Sequence, residues 1–455
     1  MAEARATRTT IINIHGRQIF DSRGQPTIEV DLQTELGLFR AAVPCGSTTN
    51  TYESKEIRDG YDAYQGLSVE KAIKNIHDFL VPGLKGMDPI QQQAVDLKMA
   101  QEIDGSQSDI GAWHKKRIGA NAIYAVSVAV CQAGAAAAGL PIWQHVANLA
   151  GNRSVVLPVP AFHVLDGGKN AENGLLFQEF MVLPTGAVSF TEAMKMGTET
   201  YHQLRALIEK KHGADALRVG DTGGFAPPLK TEEEALELLV EAIAAADLTG
   251  KIQIAIDAAG HEWYDKATKL YDLGYKDVGN DGTKKISGTA IQKRYTEYCT
   301  KYPIISIEDP FDREDWVNNG KLTMAIGESV QIVGDEIYMT NPVRLDKGIA
   351  DNGTNAILLK PNQVGTVWEA IEIFKNARND GQFGVMGSTR LGETASTFIS
   401  DFVVGLSLGQ FKGGGIGRMS SMCKYNHFLR IEEELGEDAR YAGSSFRMPS
   451  SSKKK

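Results

Sequence analysis

Five short apolar runs in the second half of the 455-residue chain each finish on a charged side chain. They are Ile252–Asp257, Pro303–Glu308, Val330–Asp335, Asn355–Lys360 and Phe383–Arg390. Each has the length and composition of a buried strand, and α/β folds place their chemistry at the carboxyl ends of such strands. Asp257, Glu308 and Asp335 supply hard oxygen ligands of the kind Mg²⁺ takes, with water or substrate completing the shell. One acidic strand end reads as a solvated charge or a helix cap. Three in succession, with Lys360 on the next, point to a metal site with a base beside it. A lysine near a bound cation and shut away from water can serve as a base. The cation would then stabilise the dianion formed when a proton leaves the carbon next to a carboxylate.

The elements that must position these groups are visible in the patterning. Thr231–Ala245 reads as a helix opening on a Thr-x-x-Glu box, Thr231 to Glu234. A second helix opens on Thr366 to Glu369, carries Val367, Ile371 and Phe374 on one face, and ends near Gly381. Asn341-Pro342 starts another. From about residue 155 strand and helix alternate, which predicts a parallel α/β barrel or a doubly wound sheet without choosing between them. Upstream, residues 9–44 read as three alternating strands, Thr10–Phe20, Pro26–Thr34 and Leu38–Pro44. A hydroxyl-rich loop at 45–51 is expected to be mobile. Helical patterns follow from about Tyr61 to Ala150, with breaks near Pro82-Gly83 and Gly105.

Composition narrows the class. A 42% hydrophobic content supports a large core, and a formal charge of −9 argues against nucleic acid as a partner. Cys45, Cys131, Cys299 and Cys423 lie far apart with no CxxC pair, which suits reduced thiols in the cytoplasm. Met1–Arg8 holds no apolar signal core. Ala120–Leu140 is apolar enough to raise the question of a membrane span. Its Ala-rich composition and its Asn121, Ser127 and Gln132 predict a buried helix of a soluble fold instead, so no membrane partner is expected.

The chain also resembles the enolase (phosphopyruvate hydratase) family from about residue 9 to 447. The likeness is carried by Asp21-Ser22-Arg23-Gly24, Ser306-Ile307-Glu308-Asp309-Pro310-Phe311-Asp312, Leu358-Leu359-Lys360-Pro361-Asn362-Gln363, Lys424-Tyr425-Asn426 and Arg430–Gly436. The resemblance implies an N-terminal α+β domain (1–150), then an eight-unit α/β barrel of TIM type (151–455); the polar, basic composition of Ser450–Lys455 predicts a short disordered tail at its end. The resemblance also implies Mg²⁺, a small phosphorylated carboxylate as substrate and a homodimer. Sites of this superfamily are known for a lysine or histidine base working beside magnesium on an enediolate. By resemblance, Asp257, Glu308 and Asp335 are the first magnesium's ligands. Lys360 is the base that takes the C2 proton of 2-phosphoglycerate. Lys412 holds the substrate's carboxylate region, and Arg390 holds its phosphate. Gln178 and Glu179 match an acidic patch, and Ser388, Glu308 and Asp335 belong to the substrate-facing set. Thr48 takes the place of the mobile-loop serine that reaches a second magnesium; its β-branch stiffens that loop. Cys45 and Asn50 depart from the loop's pattern.

The other departures fall on the acid side of the site. Within Gly220-Asp221-Thr222-Gly223-Gly224, Thr222 replaces the family's general acid, which helps hydroxide leave C3. Asn170 and Thr389 replace two active-site histidines, and Leu391 replaces a phosphate-contacting serine. Arg418-Met419-Ser420-Ser421 departs from the family's Arg-Ser-Glu-Arg. A positioned general acid contributes typically ~10²–10⁴ in rate, or roughly 3–5 kcal/mol of barrier. Losing the two histidines adds a further, non-additive cost. The expectation is therefore a catalytically impaired enolase-like protein that keeps a Mg²⁺ and anion pocket and serves a binding or structural role, with protein partners in a larger assembly. Two alternatives stay open. One is a working phosphopyruvate hydratase using replacement groups, for which His163 and His261 are candidates, although each reads first as a packing or polar residue. The other is an altered superfamily enzyme in which Lys360 and the metal enolise another carboxylate.

Overall fold

The structure is a computed structural model that describes residues 9–46, 50–60, 63–107 and 113–449. Thr48 and the tail from Ser450 lie outside the described residues. Three antiparallel strands open the chain: β1 (Asn13–Phe20), β2 (Pro26–Thr34) and β3 (Gly37–Ala42). The β1–β2 turn is tied by the Asp21 carboxylate, which accepts from the backbone N–H of Arg23 and Gln25, with Gly24 at a φ of 71°. Helix Ala120–Ala138 packs across this sheet and is buried inside the fold, as its composition predicted. The expected break at Pro82-Gly83 falls two residues later. Val81–Leu84 is helical and continues the run that begins at Glu70, which widens into a π turn over Ile76–Leu80 just ahead of Pro82.

Eight strands then close a barrel in the order β10-β11-β12-β13-β14-β4-β5-β6. Their ranges are β4 (Val159–Asp166), β5 (Glu179–Leu183), β6 (Gln253–Asp257), β10 (Ile304–Glu308), β11 (Gln331–Gly334), β12 (Ala356–Leu359), β13 (Gly384–Ser388) and β14 (Gly409–Gly415). A small sheet, β7 (Tyr264–Asp265), β8 (Leu270–Asp272) and β9 (Lys285–Ile286), sits beside it. The five charged runs thus became β6, β10, β11, β12 and β13. The expectation of a wholly parallel barrel needs one change: β5 runs antiparallel to both β4 and β6. No helix separates β4 from β5 beyond a single turn at Gly168–Asn170, and two long helices, Phe190–His212 and Glu232–Ala245, follow instead. A short connection returns the chain without a crossover, so β5 must point the other way.

The two-residue period of the strands sorts their side chains. Val159, Ala161, Met181, Leu183 and Ala255 form one cluster inside the barrel, and Val333, Ala356, Leu358 and Met386 form another. The alternate residues, among them Ile254, Ile256, Ile307, Ile332, Ile357, Leu359, Val385 and Phe411, belong to the large cluster shared with the helices. Gln331 and Gln410 exchange two amide hydrogen bonds of 2.8 and 2.7 Å between β11 and β14. The same alternation continues upward and turns Asp257, Glu308, Lys360 and Lys412 toward the barrel mouth.

Candidate active site

The mouth opens into a cleft of about 1280 Å³ whose lining includes Asp257, Asp335, Lys360, Arg390, Lys412 and Thr222. Glu179 reaches this rim from the start of its strand, because β5 is antiparallel; it sits opposite Asp257 on one side and Asp166 on the other. Lys412 stands among three carboxylates, with Nζ 2.8 Å from Glu179, 2.9 Å from Asp257 and 2.7 Å from Glu308. Lys360 Nζ bonds Asp335 at 2.5 Å. Burial opposes the charge on Lys412, but the surrounding carboxylates outweigh it and hold its ammonium well above the usual lysine range. Burial first, and repulsion from neighbouring carboxylates second, raise Asp257 and Glu308.

Glu308, Asp309 and Asp335 form an acidic group with one oxygen of each within 4.8 Å of the others. Asp309 was passed over in the sequence because it follows a strand end instead of closing one. Its carboxylate accepts from the backbone N–H of Asp335 and Glu336, both at 2.9 Å, and so shapes the turn that presents Asp335. Asp309 itself takes a φ of 43°, a left-handed conformation costly for a residue with a Cβ. Five carboxylates, Glu179, Asp257, Glu308, Asp309 and Asp335, face Lys360 and Lys412 here, which leaves negative charge in excess. Glu308 Oε2 is buried and accepts no hydrogen bond from the described residues. An orphaned carboxylate oxygen in an over-negative, all-oxygen site fits a hard divalent cation such as Mg²⁺.

The N-terminal unit forms one wall. Glu53 meets the Arg390 guanidinium at 3.4 Å and accepts from Gln363 at 3.2 Å. Cys45 exchanges backbone hydrogen bonds with Gly392, and Ser22 N–H donates to Glu393 O. Gly46 lies so close to Arg390 that a Cβ there would sit 1.9 Å from Nη2. Ser388 Oγ donates to Thr389 O. The Thr389 hydroxyl turns away to Lys412 O at 3.3 Å. Asn170 Nδ2 donates to Glu179 at 3.3 Å, and Gln178 lines the cleft. The apolar run ending at Asp166 carries the same signal as the five others, yet Asp166 was missed. It lies behind Thr222, whose Oγ1 is 2.5 Å from Asp166 Oδ1.

The two candidate rescue histidines occupy different surroundings. His163 sits 3.4 Å from Glu179, and burial pushes its imidazole down to about 4. It is therefore neutral near pH 7 and cannot act there as an acid. Burial also opposes charge on His261, but the hydrogen bond to Glu262 and the nearby Glu336 and Asp309 outweigh it and hold the ring at about 9.

Comparison with known proteins agrees with this geometry. Residues 11–146 match the family profile described as "Enolase, N-terminal domain", and residues 154–450 match "Enolase, C-terminal TIM barrel domain". The chain belongs to the enolase family. The curated "Enolase" of Solanum lycopersicum is 53% identical over 441 residues, covering 97% of this chain and 99% of that protein. "Enolase 2" of Hevea brasiliensis is 52% identical over 441 residues, covering 97% and 98% respectively. Likeness to enolases thus runs through both the N-terminal unit and the barrel.

Proposed function

We propose that the chain is a working phosphopyruvate hydratase, which removes water from 2-phosphoglycerate to give phosphoenolpyruvate. The observation that carries this reading is the intact base side. Lys360, Lys412 and Arg390 face one cleft together with Asp257 and Asp335, and Glu308 pairs with Lys412 beside them. Identity above half with two curated enolases over nearly the full length supports a conserved activity more than a repurposed pocket. In this reading Arg390 holds the phosphate, Lys412 balances the carboxylate end, and Lys360 Nζ receives the C2 proton. Ser388, Gln178 and Glu179 line the substrate. Asp257, Glu308 and Asp335 hold Mg²⁺, which when bound supplies charge to stabilise an enediolate. In the N-terminal wall Glu53 pairs with Arg390, and Gly46 leaves the room its guanidinium needs. Free cysteines at all four positions and the acidic charge suit a cytoplasmic protein, and family resemblance supports a homodimer.

A second reading is favoured by Thr222, Asn170 and Thr389: the chain binds Mg²⁺ and a phosphorylated carboxylate but does not turn it over, serving instead as a binding component. Formation of phosphoenolpyruvate, followed at 240 nm with saturating Mg²⁺, separates the two. Turnover on the order of 10 s⁻¹, lost in Lys360→Ala, supports the hydratase. Undetectable turnover by a folded, Mg²⁺-binding native chain refutes it and leaves the binding role.

A further inference from the structure

Asp166 closes β4 in an unusual way. Pairing of β4 with β5 slips between His163 and Leu165. Without the slip, period-two alternation would turn Asp166 outward, toward the helices. With it, Asp166 pairs with Glu179 and shares that residue's inward side, while Leu165 joins the outer core. Asp166 is fully buried, and both of its oxygens meet Thr222: Oδ1 accepts from Thr222 Oγ1 at 2.5 Å, and Oδ2 accepts from Thr222 N–H at 3.2 Å. Thr222 stands on the cleft wall with Glu179, Asn170 and Lys412. Thr222, which lines the cleft, thus donates its hydroxyl to a carboxyl group buried behind it; a proton on Asp166 reverses that bond and turns the threonine's own proton toward the cleft.

We propose that Asp166 and Thr222 together replace the missing general acid, Asp166 supplying a proton that Thr222 passes to the departing hydroxide. The proposal rests on the hydratase reading above. Lys360 takes the C2 proton, and the C2–H electron pair becomes the C2–C3 double bond. The C3–O bond breaks, and its electron pair leaves with oxygen. Thr222 gives its hydroxyl proton to that oxygen, forming water, while the Asp166 proton moves to Thr222 Oγ1. Asp166 is left as a carboxylate and regains a proton through the Thr222 hydroxyl, which takes one from water in the emptied cleft. Thr222 is the group that touches the reacting oxygen; Asp166 is a positioning residue that acts through it.

The surroundings favour a protonated Asp166. Burial, reinforced by Glu179 and opposed by the hydrogen bonds from Thr222 and Gly224, pushes its carboxyl up to about 8. The charged groups on the elements packed about it are Glu179 on β5, Asp221 in the Thr222 loop, and Arg418, whose guanidinium donates to Gly220 O. His163, neutral near pH 7, lies earlier on β4 at 3.4 Å from Glu179, and Lys412 on β14 pairs with Glu179 at 2.8 Å.

The test uses the full chain with Mg²⁺ and 2-phosphoglycerate, reading dehydration at 240 nm and deuterium exchange at C2 in parallel. Thr222→Val, which keeps the shape and loses the hydroxyl, is expected to lower kcat about 10²-fold with little change in KM. Thr222→Ser should sit at least about tenfold above Thr222→Val. Native kcat should fall as pH rises through about 8, and that limb should vanish in both Thr222→Val and Asp166→Asn. The double variant should be no slower than the worse single one, as expected of two groups in one relay. Should Asp166→Asn fail to fold, the valine variant alone decides. Native kcat in Thr222→Val overturns the relay, as do additive losses in the double variant. C2 exchange with dehydration untouched by Thr222→Val sinks the relay alone. Neither exchange nor dehydration in the native chain sinks the hydratase reading and the relay with it.

Discussion

Replacing Lys412 by methionine tests whether the site is held together by charge. The substitution keeps the length of the side chain and deletes an ammonium that bonds three buried carboxylates at 2.8, 2.9 and 2.7 Å. Each contact is worth about 6 kcal/mol at an effective dielectric constant of about 20. Repulsion among the carboxylates and the cost of burying the ammonium cancel most of that sum. Breaking a buried pair by removing one partner leaves a net loss of about 3–5 kcal/mol. With a urea m-value of about 4 kcal/mol/M for a chain of this size, the unfolding midpoint should drop by roughly 1 M in metal-free buffer at pH 8. Two controls follow from the same charges. Asp257 and Glu308 already lie above the usual carboxylate range, by burial and then by repulsion from other carboxylates, and they rise further without Lys412. A carboxylate raised in the folded state binds more protons folded than unfolded, so the variant gains stability as pH falls and its deficit should shrink between pH 8 and 5. Saturating Mg²⁺ should shrink it as well, because the cation binds only the folded chain and binds the variant more tightly, with no ammonium competing for Asp257 and Glu308. A midpoint within about 0.2 M of native at pH 8 without Mg²⁺ would refute the reasoning, since three unpaired buried carboxylates could not be that cheap.

Other outcomes follow from single contacts. Gly46→Ala should push the Arg390 guanidinium aside, because the new methyl group would lie 1.9 Å from Nη2. KM for 2-phosphoglycerate should rise at least about tenfold, equivalent to about 1.4 kcal/mol of lost anion binding, while the urea midpoint holds; an unchanged KM would separate Arg390 from the phosphate. His145, buried and held neutral down to about 4 by that burial, should make the fold acid-sensitive. Its folded value lies below the ordinary 6.5, so stability present above pH 6.5 is lost as pH falls toward 4, at about 1.4 kcal/mol per unit. His145→Gln should flatten the dependence of the urea midpoint on pH over that window, and a slope equal to native would discount the histidine. Thr366 accepts from Glu369 N–H at 3.1 Å at the start of helix Val367–Lys375, so Thr366→Ala should cost about 1 kcal/mol in urea unfolding. No measurable loss would mean that the buried hydroxyl contributes nothing to that helix start.

The five charged strand ends were legible because a buried strand needs an apolar run, and a charge that ends it must lie at a rim. Asp257, Glu308, Asp335 and Lys360 could be placed on one face of the fold from their own segments. Helix starts at Thr231, Asn341 and Thr366 were equally local, since a cap needs only a side-chain oxygen two or three residues from its N–H donors. The direction of β5 was not legible, because strand composition is the same forward and backward. That direction is what brings Glu179 to the mouth. Nor was the register slip after His163, which turns Asp166 inward, or the contact of Asp166 with Thr222 across 56 positions of sequence. The resemblance to enolases implied an acid missing at position 222. Only the closed barrel decides what stands behind that threonine, because a proton's path is set by distances through space, and those are fixed when the strands pair.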